Sequence, residues 1–357
     1  MMRDMKEEAA DRVLADSRTV AVGRFKHANL DHSAMRAVQS MALARAQTRP
    51  ELFKAPEGRG HPAGGRARKE SLSGRQVDPV EIVSREIRLH SLPRVVLELQ
   101  RAIDDPKSSA NDLARIISLD PGLSAYLLRI VNSAMYSFPS RVDTVSRAVA
   151  VLGTRQISML AMGVSVLRSF NERPVQALDI ERFWRHSVAC AILARSVAER
   201  CGRSPSERFF VAGLLHDVGR LAIFEAIPEQ AREIMDAAEA EGIQLVQAER
   251  RVLGFDHARL GAILLRKWNF PVNLAMAVLH HHAPGKSDLR DEAAVVHLAD
   301  ILSKALGYGT TASFSVPALE HAAWDALGLD ERELTRFERE LDERFEETMA
   351  MLGQSAN

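Results

Sequence analysis

The amino-acid sequence predicts an all-α protein on three observations. Apolar residues recur at helical spacing, alternating β-branched runs of strand length are nearly absent, and helix boundaries are punctuated by Asp-Pro and Gly-Thr pairs. The first element is a short helix at residues 33–46, with Met35, Val38 and Ala42 on one face. Residues 50–78 break the pattern. Pro50, Pro56, Gly58, Gly60, Pro62, Gly64 and Gly65 run into Arg66, Arg68 and Lys69, a composition too poor in apolar surface to offset the entropy of ordering. Residues 1–78 are therefore expected to be a basic N-terminal arm and linker, mostly mobile. From about Val80 the helical pattern is continuous. Asp120-Pro121 reads as an N-cap and first helical position, opening a helix through Met135 with Leu123, Leu127, Ile130 and Val131 inward. Gly153 ends one helix and Thr154 opens the next, through Met159 and Leu167. The last helix has Asp330 and Glu333 in capping-box spacing and Leu334, Phe337, Leu341, Phe345, Met349 and Leu352 on one face. Packing of residues 311–357 on the bundle is the plain reading of that stripe, and a homodimer seam is the sharper one.

At 357 residues, the chain can hold one large domain or two ordinary ones. An apolar fraction of 46% with 26% charged residues is that of a soluble globular protein. Lys+Arg and Asp+Glu both number 47, so no global field recommends nucleic acid or an anionic membrane as partner. The balance conceals an asymmetry: residues 1–76 carry 15 basic and 9 acidic side chains. That arm reads as a solvated tail or as a contact for an anionic partner. Cys190 and Cys201 are too few and too far apart for a disulfide framework or a CxxC site. The N-terminus alternates charges where a secretory signal would be apolar, and no stretch has the length of a membrane span. A cytoplasmic protein with no membrane contact is expected.

The chemistry is concentrated in Gly213-Leu-Leu-His-Asp-Val-Gly-Arg220. Read as one helix, Phe210, Leu214, Asp217 and Leu221 share an apolar stripe, which puts a carboxylate where it needs a cation, a metal ion or a proton. Gly213 and Gly219 flank the His216-Asp217 pair and imply close approach of another backbone or a ligand. His186 lies on the face of Cys190, Leu193 and Val197, and His257 follows the N-cap candidate Asp256. His281 lies on the face of Leu274 and Val278 with His282 beside it, and Asp300 falls four residues after Val296. A solitary inward histidine is most often satisfied by an ordinary hydrogen bond. Inward or helix-terminal His and Asp residues on five helices instead suggest metal ligation, because neutral imidazoles and carboxylates converging from rigid elements suit iron, manganese or zinc.

The order His186, His216-Asp217, His257, His281-His282, Asp300 resembles the HD superfamily of metal-dependent phosphohydrolases. The segments Leu92–Leu99, Ser118–Leu123, Val131–Tyr136, Ala148–Gly153, Phe183–His186, Ala212–Asp217, Gly254–His257 and Val296–Asp300 are, more specifically, similar to the HDOD domain, the HD-related output domain of bacterial signalling proteins. This resemblance covers about residues 85–305. It implies an HDOD-type helical domain, at residues 79–310, with an N-terminal helical half packed on an HD-like half. It also implies a regulatory role exercised through a signalling protein partner. Many such proteins have lost their metal ligands, whereas this chain keeps a set similar to that of the HD-GYP phosphodiesterases, the relatives that hydrolyse cyclic di-GMP. It departs from those enzymes as well. Ala283-Pro-Gly-Lys286 stands where they have Glu and a Gly-Tyr-Pro signature, Arg182 stands where a glutamate ligand is expected, and Arg220 replaces a lysine.

Two functions follow as expectations. One is a signalling output module with a divalent metal ion, or a nucleotide, in the HD site. The other is a metal-dependent phosphohydrolase acting on a nucleotide or cyclic dinucleotide. The resemblance then implies His186, His216, Asp217 and Asp300 as metal ligands, with His257 and His281 completing a second site and His282 counted among the metal-binding residues. In the enzyme reading Asp217 and Arg220 are catalytic, with Arg220 meeting the phosphate.

Overall fold

The computed structural model describes residues 2–54, 78–86, 94–133, 136, 138–171, 178–309 and 315–353. Every regular element among them is helical, as the apolar periodicity predicts. The chain opens with α1 (Met2–Arg24), α2 (Ser33–Thr48) and a 3₁₀ turn at Pro50–Phe53. After α3 (Pro79–Glu86) comes an N-terminal half of five helices, α4 (Arg94–Asp104), α5 (Ala110–Ser118), α6 (Pro121–Val131), α7 (Val145–Leu152) and α8 (Thr154–Asn171). The following half holds α9 (Ile180–Arg200), α10 (Glu207–Leu215), α11 (Val218–Ala226), α12 (Pro228–Glu241), α13 (Leu245–Leu253), α14 (His257–Lys267), α15 (Val272–His280) and α16 (Arg290–Ala305). The helices α17 (His321–Leu327) and α18 (Glu333–Gly353) close the chain.

Local chemistry sets these boundaries. Asp120 accepts the Leu123 amide at 2.9 Å and Pro121 takes the first helical position of α6. This helix ends at Val131, four residues short of the expected Met135, because Asn132 turns back to bond Val142 through both its amide nitrogen and its oxygen at 2.7 Å. Gly153 separates α7 from α8 with φ +92°, which residues with a Cβ rarely adopt. No capping box opens α18. Asp330 instead takes the Arg332 amide and guanidinium, and the helix starts at Glu333.

Helix α9 is the axis of the HD-like half, with residues 183–198 buried except Arg185 between α10, α16 and α18. Helix α8 joins the two halves by packing on α10, where Gly163 brings its backbone against Val211. One continuous apolar core spans both halves and includes Leu334, Phe337, Leu341 and Phe345 of α18. These four residues of the α18 stripe are therefore packed within the chain.

The expectation of a mobile arm over 1–78 does not hold for residues 16–53. Ala21, Phe25, Met35, Val38, Ala42, Ala46 and Phe53 are buried, and Arg24 and Arg45 are both 3% exposed. Arg24 donates to the carbonyl of Lys304 at 3.1 Å, and Arg45 forms a two-pronged ion pair with Asp342. Averaged over residues 1–78, the apolar surface of this helix pair is masked by the Gly- and Pro-rich stretch that follows. Residues 55–77 lie outside the described part of the chain.

Candidate metal centre

The helix read as continuous through Phe210 and Leu221 is two helices. α10 ends at Leu215, α11 begins at Val218, and His216-Asp217 forms the joint. Asp217 sits at φ −99°, ψ 7°, and its carbonyl accepts the Arg220 amide at 2.8 Å in a tightened turn. Both flanking glycines are required by contact with neighbouring backbone. A Cβ on Gly213 would lie 2.6 Å from the carbonyl oxygen of Cys190 on α9, and one on Gly219 2.0 Å from that of His257 on α14. These approaches bring α9 and α14 to either side of the joint.

All seven expected ligands converge there. On one side, His186 Nε2 lies 3.2 Å from His216 Nε2 and 3.2 Å from Asp300 Oδ1, with His216 Nε2 3.6 Å from the same oxygen. On the other, His257 Nε2 lies 2.9 Å from Asp217 Oδ1, 3.0 Å from His282 Nε2 and 3.4 Å from His281 Nε2. Asp217 stands between the two groups, with Oδ1 3.5 Å from His216 Nε2 and 3.9 Å from His281 Nε2. Donors each about 2.1 Å from one ion are roughly 3.0–3.5 Å from one another, so the spacings suit shared ions.

The outward nitrogens fix which atoms face the centre. A carbonyl oxygen only accepts, so Nδ1 must carry the proton in His186, bonded to Tyr308 O at 2.9 Å. The same holds for His216 on Gly213 O at 2.8 Å and His281 on Val278 O at 2.6 Å. His257 Nδ1 donates to the Glu249 carboxylate at 2.5 Å. In neutral rings this leaves four inward Nε2 lone pairs. Asp217 Oδ1 and Asp300 Oδ1 are buried beside them with no hydrogen-bond donor aligned on either. Converging lone pairs and orphaned carboxylate oxygens are costly when buried, and a divalent cation satisfies both. The residues present therefore fit the metal expected from the sequence.

Electrostatics around the centre keep His281 and His282 neutral but draw a proton to His216 and His257, a proton that a bound ion would displace. Burial opposes charge on Asp217, but Arg220, then His216 and His257, hold its carboxyl well below the usual range. Burial likewise opposes charge on Asp300, and Lys304, donating to its Oδ2 at 2.7 Å, outweighs it together with His186 and His216. His281 and His282 are pushed well below the ordinary imidazole value, by burial first and then by neighbouring imidazoles, so both are neutral as ligation requires. His216 moves the other way, because Asp217 and Asp300 outweigh its burial.

Arg220 is not placed as the enzyme reading expected. Its side chain is 2% exposed and bonds Asp217 Oδ2 and Glu249 Oε1, the latter at 3.1 Å, so it orients the centre instead of facing a phosphate. Sequence reasoning overlooked Glu249, His297 and Lys304. Glu249 holds both the ring and the amide of His257. Its position midway between Leu245 and Leu253 on the inward stripe of α13 was the available signal. His297 donates from Nδ1 to the His281 carbonyl at 2.8 Å and accepts the Glu320 amide at Nε2. Lys304, four residues after Asp300, was visible as a helical ion pair.

Three comparisons place this architecture. A structure from Shewanella amazonensis SB2B, of a protein provisionally named a phosphohydrolase, shares 26% identity with a TM-score of 0.57, over 77% of this chain and 98% of that one. An HDOD domain protein of unknown function from Geobacter sulfurreducens gives a TM-score of 0.60 at 23% identity, over 77% and 97%, a likeness of fold. An uncharacterized protein of Treponema pallidum (strain Nichols) is 29% identical over 194 residues, 54% of this chain, which spans only 37% of that curated relative. The HDOD domain model matches residues 89–284, more than half of the sequence, and the chain belongs to the HDOD domain family.

Proposed function

We propose that this chain is a regulatory output module of the bacterial signalling type that acts through protein contacts, with one or two divalent transition-metal ions held in its HD centre for structure or sensing. Burial is the observation that carries this reading. Apart from half-buried His282, every ligand is at most 1% exposed, and the motif's cation, Arg220, is committed to Asp217 and Glu249. A centre built to turn over phosphate esters needs a positive group facing the substrate and an approach to the ion.

A metal-dependent phosphohydrolase is the second reading. Half-buried His282 marks the side from which substrate would approach, and the Shewanella relative is provisionally named a phosphohydrolase. A bound ion would supply an activated water, and Asp217, His257 and the other ligands would hold it in place. No membrane contact enters either reading; among the described residues no helix is long and apolar enough to cross a membrane.

Elemental analysis of protein purified without chelator tests the metal, and is expected to give at least one equivalent of iron, manganese or zinc. Less than about a tenth of an equivalent after growth with metals supplied would sink the reading. The paired substitution His216→Asn with Asp217→Asn separates the two functions. A module loses metal but keeps its cellular phenotype wherever the partner surface is intact, whereas a phosphohydrolase loses turnover of a phosphodiester or nucleotide. No specific cyclic di-GMP hydrolysis is expected, since the Gly-Tyr-Pro segment is replaced.

A further inference from the structure

The C-terminal end of α16 lies one turn past the ligand Asp300, and the next residues form a tight turn through Gly307 and Tyr308. Two contacts tie this turn to the centre. The Tyr308 carbonyl accepts the His186 Nδ1 proton at 2.9 Å, and Lys304 Nζ donates to Asp300 Oδ2 at 2.7 Å. The last carbonyls of a helix have no partner within it and need donors from elsewhere. Here the turn's own amides bond the carbonyls of Leu302, Ser303 and Lys304, and further donors come from the N-terminal segment, outside the family match at 89–284. Arg24 donates to Lys304 O at 3.1 Å and to Leu52 O at 3.0 Å, and its guanidinium lies 4.6 Å from the Phe53 ring centre. Arg45 donates to Leu306 O at 3.0 Å while gripping Asp342 on α18. Gly307, at φ +102°, lets Leu52 pack so closely that a Cβ there would stand 2.7 Å from the Leu52 Cβ. Two guanidinium groups at a helix C-terminus also match its negative dipole end.

We infer that Arg24 and Arg45 are positioning residues for the His186 and Asp300 side of the centre, so that residues 24–53 act as a strap whose displacement loosens those ligands. That the ligands hold a metal rests on the proposed function; the contacts from strap to turn to imidazole do not. The strap gives an upstream event acting on α1 or α2 a direct route to the centre, through the end of α16, without touching the HD motif. His257 is held instead by Glu249, and His281 by Val278 and, through its carbonyl, by His297.

The test uses full-length protein with Arg24→Ala, Arg45→Ala and, as a control, Leu127→Ala in the buried core of the N-terminal half. Mn²⁺-loaded samples are mixed with excess chelator and the rate of metal loss is followed. Separately, exchange of the His186 Nδ1 proton is measured by NMR in the metal-free state. Both arginine variants should lose metal about tenfold faster or more, the effect typical of weakening a ligand's orienting partner, and should exchange that proton faster than wild type. Leu127→Ala should lower the unfolding temperature yet release metal at the wild-type rate. Arg24→Lys should not restore retention, because a single ammonium does not reproduce a fork across two carbonyls. Arg45→Ala is the variant most secure to fold, since its partners Asp342 and Glu338 are partly exposed. Wild-type exchange and release rates in both arginine variants would overturn the inference, as would release that follows unfolding temperature across all three. If wild type holds no metal but the proton exchanges faster in the variants, the strap stands and the metal reading falls.

Discussion

Glu249 shows how much of the centre is decided away from the ligands. It accepts from the His257 ring and amide and from Arg220, and Arg220 in turn holds Asp217, so one carboxylate fixes two ligands. Despite its burial, the charges of His257 and Arg220 keep its pKa below the ordinary value. Glu249→Gln keeps the size and an acceptor but removes the charge facing Arg220 and the His257 Nδ1–H. Mn²⁺ affinity measured by calorimetry should fall about 10- to 100-fold. The unfolding temperature of the metal-free protein should also fall, because breaking a buried ion pair costs about 3–5 kcal/mol. Unchanged affinity would mean that His257 is oriented by packing alone.

At the scale of elements, helix spacing is what makes the ligand distances achievable. Gly219 of α11 lies against the backbone of His257 and Gly261 on α14, so Gly219→Ala forces the two helices apart and carries His257 with them. Overpacking costs typically about 1–3 kcal/mol, and this backbone clash belongs at the upper end. Thermal unfolding and metal stoichiometry should both drop, whereas Gly202→Ala, which has open space around its Cβ but is strained at φ +66°, should lower the unfolding temperature and retain full metal. The arm's junction with α18 offers a pH test. Burial raises the pKa of Asp342, but its hydrogen bonds and charge pairing with Arg45 outweigh this and lower it below 3.8. A lowered carboxylate contributes its stability fully above the unfolded value and loses it as pH falls through the folded value. Asp342→Asn should therefore cost about 1 kcal/mol or less at pH 7, Asp342 being 35% exposed. In a series of melts the difference from wild type should shrink as pH falls below 3.8.

Element type and the inward histidines and aspartates were legible because each leaves a local trace: a period of 3.6, a cap, an imidazole on an apolar face. Asp256 illustrates this, read as an N-cap and found accepting the Arg259 amide at 3.0 Å. What was hidden depended on non-local pairing. The break at His216-Asp217 cannot be seen in a stripe that a continuous helix satisfies equally well. The docking of α1 and α2 rests on Arg24 and Arg45, which in sequence resemble any surface arginine and whose partners lie some 280 and 297 positions away. Arg220 was misplaced for the same reason, since nothing nearby in sequence shows that Glu249 waits for it.

On the scale of the whole molecule, all the candidate ligands belong to one half. They come from α9, the α10–α11 joint, α14, the end of α15 and α16, while α4–α8 contribute none. An ion shared by these elements would stabilise the folded state by about 2.7 kcal/mol at a free concentration one hundred times its dissociation constant. That stabilisation should be spatially uneven. The ligand-bearing helices cross-link one another, whereas the N-terminal half is joined to them by apolar packing such as Gly163 on Val211 and by the bond from Gln100 to the Trp268 carbonyl. Hydrogen exchange before and after chelation reads the distribution directly. Protection should fall in residues 180–226 and 257–305, and in the strap at 24–53 that rests on the end of α16. It should change little in residues 94–171, whose core contacts do not depend on the ligands. A loss of protection spread evenly over both halves would mean that they unfold as one cooperative unit and that the ion stabilises the whole fold; a loss confined to the first set would show that the HD-like half can loosen while its N-terminal partner stays folded, which is the behaviour a regulatory module needs if metal or strap is to alter one surface and not another.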